Sequence, residues 1–201
     1  MGEGLLGDDA ARLGGDGPLN WVSGPAPTRT LTRPTHRRLE AGDLILNELE
    51  ASWGGWRSQG VQPVCVERCD PVYDELAKLQ GEVWFQLAAE LRPGATAGEL
   101  QERCRAICEK EAPASGPAAG ATAQLMMHGR GAGDDGPIIT NDAKSPVELK
   151  KVLRQNPVVI FKPQVRCADR SHPLNWGDSV VVTAAGGERL GRREHGIWVA
   201  G

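Results

Sequence analysis

Aromatic residues other than tryptophan are almost missing: 201 residues hold one tyrosine and two phenylalanines, against six tryptophans. A core built from this chain must therefore rest on Leu, Val, Ile and Ala, with tryptophan at a few chosen points. Long apolar runs are also missing. No window approaches the ~18 consecutive apolar residues of a membrane-spanning helix, so no such helix is expected. The opening segment MGEGLLGDDAARLGG has neither a basic start nor an apolar stretch, and no secretory leader is expected from it. Positive charge is not in excess: 23 Lys and Arg face 26 Asp and Glu, for a net charge of -3. That balance argues against a basic face for nucleic acid. Cysteine is sparse and odd in number, at 65, 69, 104, 108 and 167, which points to a reducing cytoplasm and away from a disulfide framework. Two pairs are spaced C-x3-C, with no C-x2-C and no matching histidine pair. Such cysteines read as small buried hydrophobes and not as metal ligands.

Glycine is plentiful, at 26 residues, and proline adds 14. Hydrophobic residues make up 40% and charged residues 24%, so the chain folds and its Gly and Pro belong in turns and loops. An irregular arm is expected over 1–30, with one edge strand around Leu19–Val22, and a single domain over 31–201. Leu44–Glu50 reads as a strand, Gly54-Gly55 as a turn, and Trp56–Val66 as the returning strand of a hairpin. Asp70-Pro71 opens a helix over 71–91, whose Tyr73, Leu76, Leu79, Val83, Leu87 and Leu91 recur at spacings of three and four. Thr96 and Glu99 form a capping box for a second helix, with Leu100, Cys104, Ile107 and Cys108 as its buried stripe. The low-complexity stretch 111–123 reads as a flexible loop. Gln124–Met127, Pro137–Thr140, Val158–Phe161, Ser179–Thr183 and Ile197–Val199 read as strands, and Glu188–Gly191 as a turn. Strands at both ends with two helices between them define an α+β chain.

Gly131-x-Gly133-x-x-Gly136 matches the dinucleotide fingerprint by letter but not by context. The fingerprint needs a helix after the glycines. Here Pro137-Ile138-Ile139 follows, and Asp134 and Asp135 would set negative charge against a phosphate. His128, which opens this loop, is the one histidine in a motif-like setting. Imidazole titrates near neutral pH, so His128 is the best proton carrier in the chain. His172 and His195 have no motif around them and read as structural groups. Trp53 and Trp56 read first as packing residues. The arginines at 166, 170, 189, 192 and 193 read as a solvated basic face.

Four stretches and their order carry a resemblance. Leu39-Glu40-Ala41-Gly42-Asp43-Leu44-Ile45-Leu46, Trp53-Gly54-Gly55-Trp56, Leu91-Arg92-Pro93-Gly94-Ala95-Thr96 with Glu99-Leu100, and His128-Gly129-Arg130-Gly131 follow one another with Gly177-Asp178-Ser179-Val180-Val181-Val182-Thr183 behind them. Over residues 38–192 the sequence resembles the creatinase, aminopeptidase P and methionine aminopeptidase family. The resemblance implies the pita-bread fold, a curved antiparallel sheet covered by helices. It also implies a chain one helix and two strands short at its start, whose exposed apolar surface a second copy would cover in a homodimer.

Active peptidases of that family hold two metal ions with two Asp, one His and two Glu. By position these fall on Glu48, Gln59, His128, Lys162 and Gly177. Only the histidine is kept. Two divalent ions need several carboxylates, so no metal pair is expected as a cofactor, and a divalent ion is given little weight. Lys162 instead would occupy the space of a missing cation, paired with Glu48, or serve as a solvated edge-strand lysine.

The family precedent for metal-free work is creatinase, which cleaves a C–N bond with a histidine as acid and base. The resemblance then implies a hydrolase for a small amide, amidine or peptide. His128 and Glu48 would be catalytic, and Gln59, Arg130, Asp134, Asp135, Lys162 and Trp56 would bind substrate. A second reading is an inactive relative that binds a peptide or protein in the same cleft. A third is a metal-dependent Xaa-Pro aminopeptidase.

Overall fold

The computed structural model describes residues 20–27, 36–131, 137–139 and 145–201. Its strands are β1 (Asn20–Gly24), β2 (Leu44–Trp53), β3 (Trp56–Gly60), β4 (Val64–Val66), β5 (Thr122–Gln124), β6 (Met127–Gly129), β7 (Val158–Phe161), β8 (Gln164–Arg166), β9 (Pro173–Asn175), β10 (Asp178–Thr183), β11 (Gly186–Arg189) and β12 (Trp198–Ala200). The helices are α1 (Val72–Ala88), α2 (Ala97–Glu111) and the single turn α3 (Pro146–Leu149). The architecture is α+β. Among the described residues, no helix is long and apolar enough to cross a membrane.

The hairpin forms where Gly54 and Gly55 allow it, at φ of 56° and 85°. Both central residues of such a turn need positive φ, which glycine adopts without steric cost. The expected single returning strand is broken into β3 and β4, yet both pair with β2 in one continuing register. At the gap, the Asn47 side chain takes over from the backbone. Its Nδ2 donates to the Gln62 carbonyl at 2.6 Å, and its Oδ1 accepts from the Gln62 N–H at 3.1 Å. The backbone of Val61 is thereby released to pair with Gly177, N to O at 2.9 and 3.1 Å. One polar side chain in β2 thus lets the hairpin join the rest of the sheet.

The strands β5–β6, β7–β8 and β9–β10 likewise keep one register across their breaks. They form three long strands of one curved sheet. Alternate residues turn to the helices: Ala123, Leu125 and Met127; Val159, Phe161 and Val165; Leu174, Trp176, Val180 and Val182 all lie in the core with the α1 and α2 stripes. The intervening residues, among them Gln124, His128, Lys162, Gln164, Asn175 and Gly177, share the opposite, concave face.

The helix stripes lie where periodicity sets them, and each residue named for them above is buried. The Thr96 capping box is present, with Glu99 N–H donating to Thr96 Oγ1 at 3.2 Å and Thr96 N–H donating to Glu99 Oε2 at 2.8 Å. Several expectations fail for physical reasons. The stretch 111–123 is irregular over 112–121 and exposed over 113–117, in keeping with its loop reading, but it also carries buried Ala118, Ala121 and Ala123, and the Ala118 N–H bonds Glu75 on α1 at 3.1 Å. Small residues there serve close packing. Cys65 and Cys69 are paired as a disulfide, whereas Cys104, Cys108 and Cys167 are buried free thiols. Burial pushes the Cys108 thiol up to about 11. Ile139 makes only an isolated bridge, to Met127, and Gly186–Arg189 is a strand against β10 where a turn was expected.

Of the C-terminal arginines, Arg170 and Arg192 are exposed as expected, whereas Arg166, Arg189 and Arg193 are partly buried. Arg189 and Arg193 lie over the Trp176 ring at 5.3 and 5.2 Å, and both face Asp178. Arg193 also donates to the carbonyls of Gly177 (2.7 Å) and Val61 (3.2 Å), clamping the bridge between hairpin and sheet. His195 sits beside them against Trp176 and Phe85, with its Nε2 bonded to Gln80 Oε1. Burial, and then the charge of Arg189, pulls its pKa down to about 4. An unfolded histidine titrates near 6.5. The stabilising effect of neutral His195 is therefore complete above about pH 6.5 and is lost as pH falls towards 4, because the unfolded chain takes up the proton first. Urea unfolding between pH 7 and pH 4.5 is expected to show a loss on the order of 1–2 kcal/mol from this group. His195→Gln should flatten that part of the curve; an unchanged slope would remove His195 as its cause.

Candidate functional site

The concave face carries a chain of ionic and amide contacts. β2 alternates so that Glu48 and Glu50 project together, with Gln59 supplied by the facing strand in register opposite Glu50. Lys162 leaves the end of β7, its N–H bonded to the Met126 carbonyl at 2.9 Å. Its Nζ donates to Glu48 Oε1, and to Gln59 Oε1 at 3.2 Å. Gln59 Nε2 in turn donates to Glu50 Oε1 at 3.0 Å. Arg130 Nη2 donates to the same Glu50 oxygen. The network runs Arg130–Glu50–Gln59–Lys162–Glu48, two cations against two carboxylates. It is buried: the Lys162 side chain is 3% exposed, and those of Arg130 and Glu50 are 7% and 6%.

Two residues make this closure possible. Gly177 lies beside Lys162, and a Cβ there would come within 2.4 Å of Lys162 Cβ and 2.8 Å of the Phe161 carbonyl. Only a glycine leaves room for the lysine stem to cross. Ser179, next along the same strand, bonds the Gln59 backbone through its hydroxyl at 3.0 and 3.2 Å. Ser179 thereby ties the hairpin to β10.

His128 sits on the same face, opposite Ile160 in the register and between the rows of Arg130 and Lys162. It is 9% exposed. Its Nδ1 lies 3.0 Å from the Gly129 carbonyl. A carbonyl only accepts, so this bond is made with a proton on Nδ1.

The structure thus brings Glu48, Gln59 and Lys162 into contact, joins Arg130 to them through Glu50, and sets His128 on the same face. Glu50 is the residue that sequence reasoning passes over. The period of two from Glu48 was the available signal. Trp56 stands apart from the network. It pairs across the hairpin tip with Trp53, and the two are 67% and 75% exposed, not the packing residues expected. The Trp56 ring lies against Gly131, where a Cβ would meet it at 3.3 Å. Asp134 and Asp135 lie outside the described residues.

A metal pair can be tested against this donor set. Glu48 is tied to an ammonium, Gln59 is neutral, and Gly177 has no side chain and no room for one. Among the described residues, no group of three or more His, Cys, Asp or Glu is placed to hold a metal ion. The residues present do not fit two divalent ions.

A curved sheet backed by two helices, with polar side chains gathered on its concave face, defines a pita-bread protein. The model of metallopeptidase family M24 matches residues 13–184, and the chain belongs to that family. Among solved structures, the X-Pro aminopeptidase of Thermotoga maritima is similar at a TM-score of 0.73 and 17% identity, over 90% of this chain and 49% of its own. The methionine aminopeptidase of Rickettsia prowazekii aligns at a TM-score of 0.64 and 15% identity, over 85% of this chain and 72% of its own. The N-terminal domain of FACT complex subunit SPT16 from chickpea aligns at a TM-score of 0.68 and 12% identity, over 90% and 45%. The chain spans about half the length of the first of these. No curated protein matches it in sequence.

Proposed function

We propose that this M24 domain takes a short peptide or small amide on its concave face without a metal pair, and that it acts first as a binding module. The observation that carries the reading is the Lys162 ammonium held between Glu48 and Gln59, at positions where the family resemblance puts metal ligands. A fixed internal cation neutralises Glu48, the one carboxylate the carry-over leaves for a metal. The similar fold of a protein described as a complex subunit supports a role outside peptidase chemistry.

A second reading has its own support. The Nδ1 contact of His128 with the Gly129 carbonyl fixes the ring on the concave face, where an imidazole can serve as the acid and base that metal-free cleavage of a C–N bond requires. Under it, His128 moves the proton and Arg130 and Gln59 orient the substrate, while Glu48 is committed to Lys162. The expected homodimer belongs to the same proposal, with the exposed Trp53 and Trp56 as candidate contacts.

Elemental analysis of the purified protein is expected to find no tightly held manganese, cobalt or zinc. Two equivalents per chain would overturn the metal-free reading. Peptide binding that raises the melting temperature without turnover supports the binding module. Turnover that disappears in His128→Ala would move the hydrolase to first place.

A further inference from the structure

Beyond Lys162 on the concave face lies a second polar group that the ionic network does not use. Gln124, Gln164 and Asn175 stand directly opposite one another on β5, β8 and β9. Their neighbours Ala123, Val165 and Leu174 turn into the core, so the three amides share the concave side. Arg166 follows on that side, and its Nη2 donates to Gln124 Oε1 and, at 2.7 Å, to Gln164 Oε1. Those bonds occupy the acceptor oxygens and fix which way the Gln164 amide faces. Gln164 is fully buried, and among the described residues its Nε2 has no hydrogen-bond partner. A buried donor left so costs about 1–3 kcal/mol, and an apolar side chain of the same size would avoid that cost. The amide is poised for an acceptor that the described residues do not supply.

We propose that Gln124, Gln164, Arg166 and Asn175 form a subsite for a carboxylate. A carboxylate only accepts, offers two oxygens, and takes charge-assisted bonds from a guanidinium and an amide together. The proposal rests on the reading that the concave face holds a peptide. Gln164 lies four residues along the strand from Ile160, the partner of His128, which is ~13 Å at ~3.3 Å per residue. The subsite therefore fits the free C-terminus of an extended peptide of about four residues whose amide bonds pass His128.

The test uses the full chain, with N-acetyl-tetraalanine as the free acid and as its C-terminal amide, followed by NMR. The side-chain N–H signals of Gln164 are assigned by their loss in Gln164→Met, and the His128 ring signals by their loss in His128→Ala. The acid is expected to shift both sets saturably and to bind about tenfold more tightly than the amide. Gln164→Met removes the unpartnered donor and also an acceptor of Arg166, so the readout is affinity and not stability: the variant should bind the acid only as well as the amide. Acid affinity unchanged in Gln164→Met would mean that a buried water serves Nε2, and it would overturn the subsite. Shifts at His128 without shifts at Gln164 would overturn the subsite and leave peptide binding standing. Shifts at Gln164 alone would support the subsite and remove His128 from the ligand's path. Shifts at neither would overturn both.

Discussion

Replacing Lys162 by alanine is expected to lower the unfolding free energy by about 3–5 kcal/mol, the cost of stranding a buried carboxylate. Glu48 would keep its burial and lose the ammonium that offsets its charge, and Gln59 would lose the donor on its carbonyl oxygen. Urea unfolding at neutral pH gives the number. A solvated edge-strand lysine, the other reading of this residue, would change stability by no more than about 0.5 kcal/mol, so the two readings are well separated. The partner substitution sharpens the test. Glu48→Leu combined with Lys162→Met removes both charges, and a well-packed apolar pair often matches a buried ion pair in stability. The double variant should therefore recover most of the loss, with a coupling between the two sites of about 1–3 kcal/mol. Simple additivity would mean that the ammonium is not what holds Glu48.

That coupling also shows which parts of the molecule were legible in the sequence. Local signals were. The Thr96–Glu99 capping box, the α1 stripe and the Gly54-Gly55 turn depend on residues within one turn of helix or one hairpin, and each is found as the spacing sets it. Lys162 was singled out by family resemblance, and the structure sets it in contact with Glu48. Features made by distant residues were not legible. Glu50 acquires its place from Arg130, eighty positions away. Asn47 breaks the hairpin ladder only because Gly177 waits to pair with Val61. Arg193 looks like one more surface cation until the fold sets Trp176, Gly177 and Val61 around it. In the 111–123 stretch, composition marks the loop but does not say that Ala118, Ala121 and Ala123 pack into the core.

Gly177→Ala is expected to cost about 3 kcal/mol or more, at the upper end for overpacking. A Cβ at this position meets Lys162 Cβ at 2.4 Å, and it meets the Lys162 Cα and the Phe161 carbonyl at 2.8 Å. Two of those three atoms are backbone, so shortening the lysine does not relieve them. The strand cannot slide aside either. The Gly177 N–H and carbonyl are bonded to Val61, and Arg193 donates to the same carbonyl. Gly177→Ala should thus remain destabilising when Lys162 is changed to glycine. By the same argument, placing carboxylates with Lys162→Glu and Gly177→Glu, where the family resemblance puts them, should not build a metal pair. A Glu at 177 must begin with the Cβ that does not fit, and two carboxylates added beside Glu48 and Glu50 would repel one another without bound ions. The expected double variant melts well below wild type and shows no rise in melting temperature with manganese or cobalt. A double variant that melts like wild type with two equivalents of metal would show that the backbone yields. The difference from a metal site would then lie in side chains alone. On the geometry present, a Cβ at position 177 has no room beside the lysine stem and the Phe161 carbonyl.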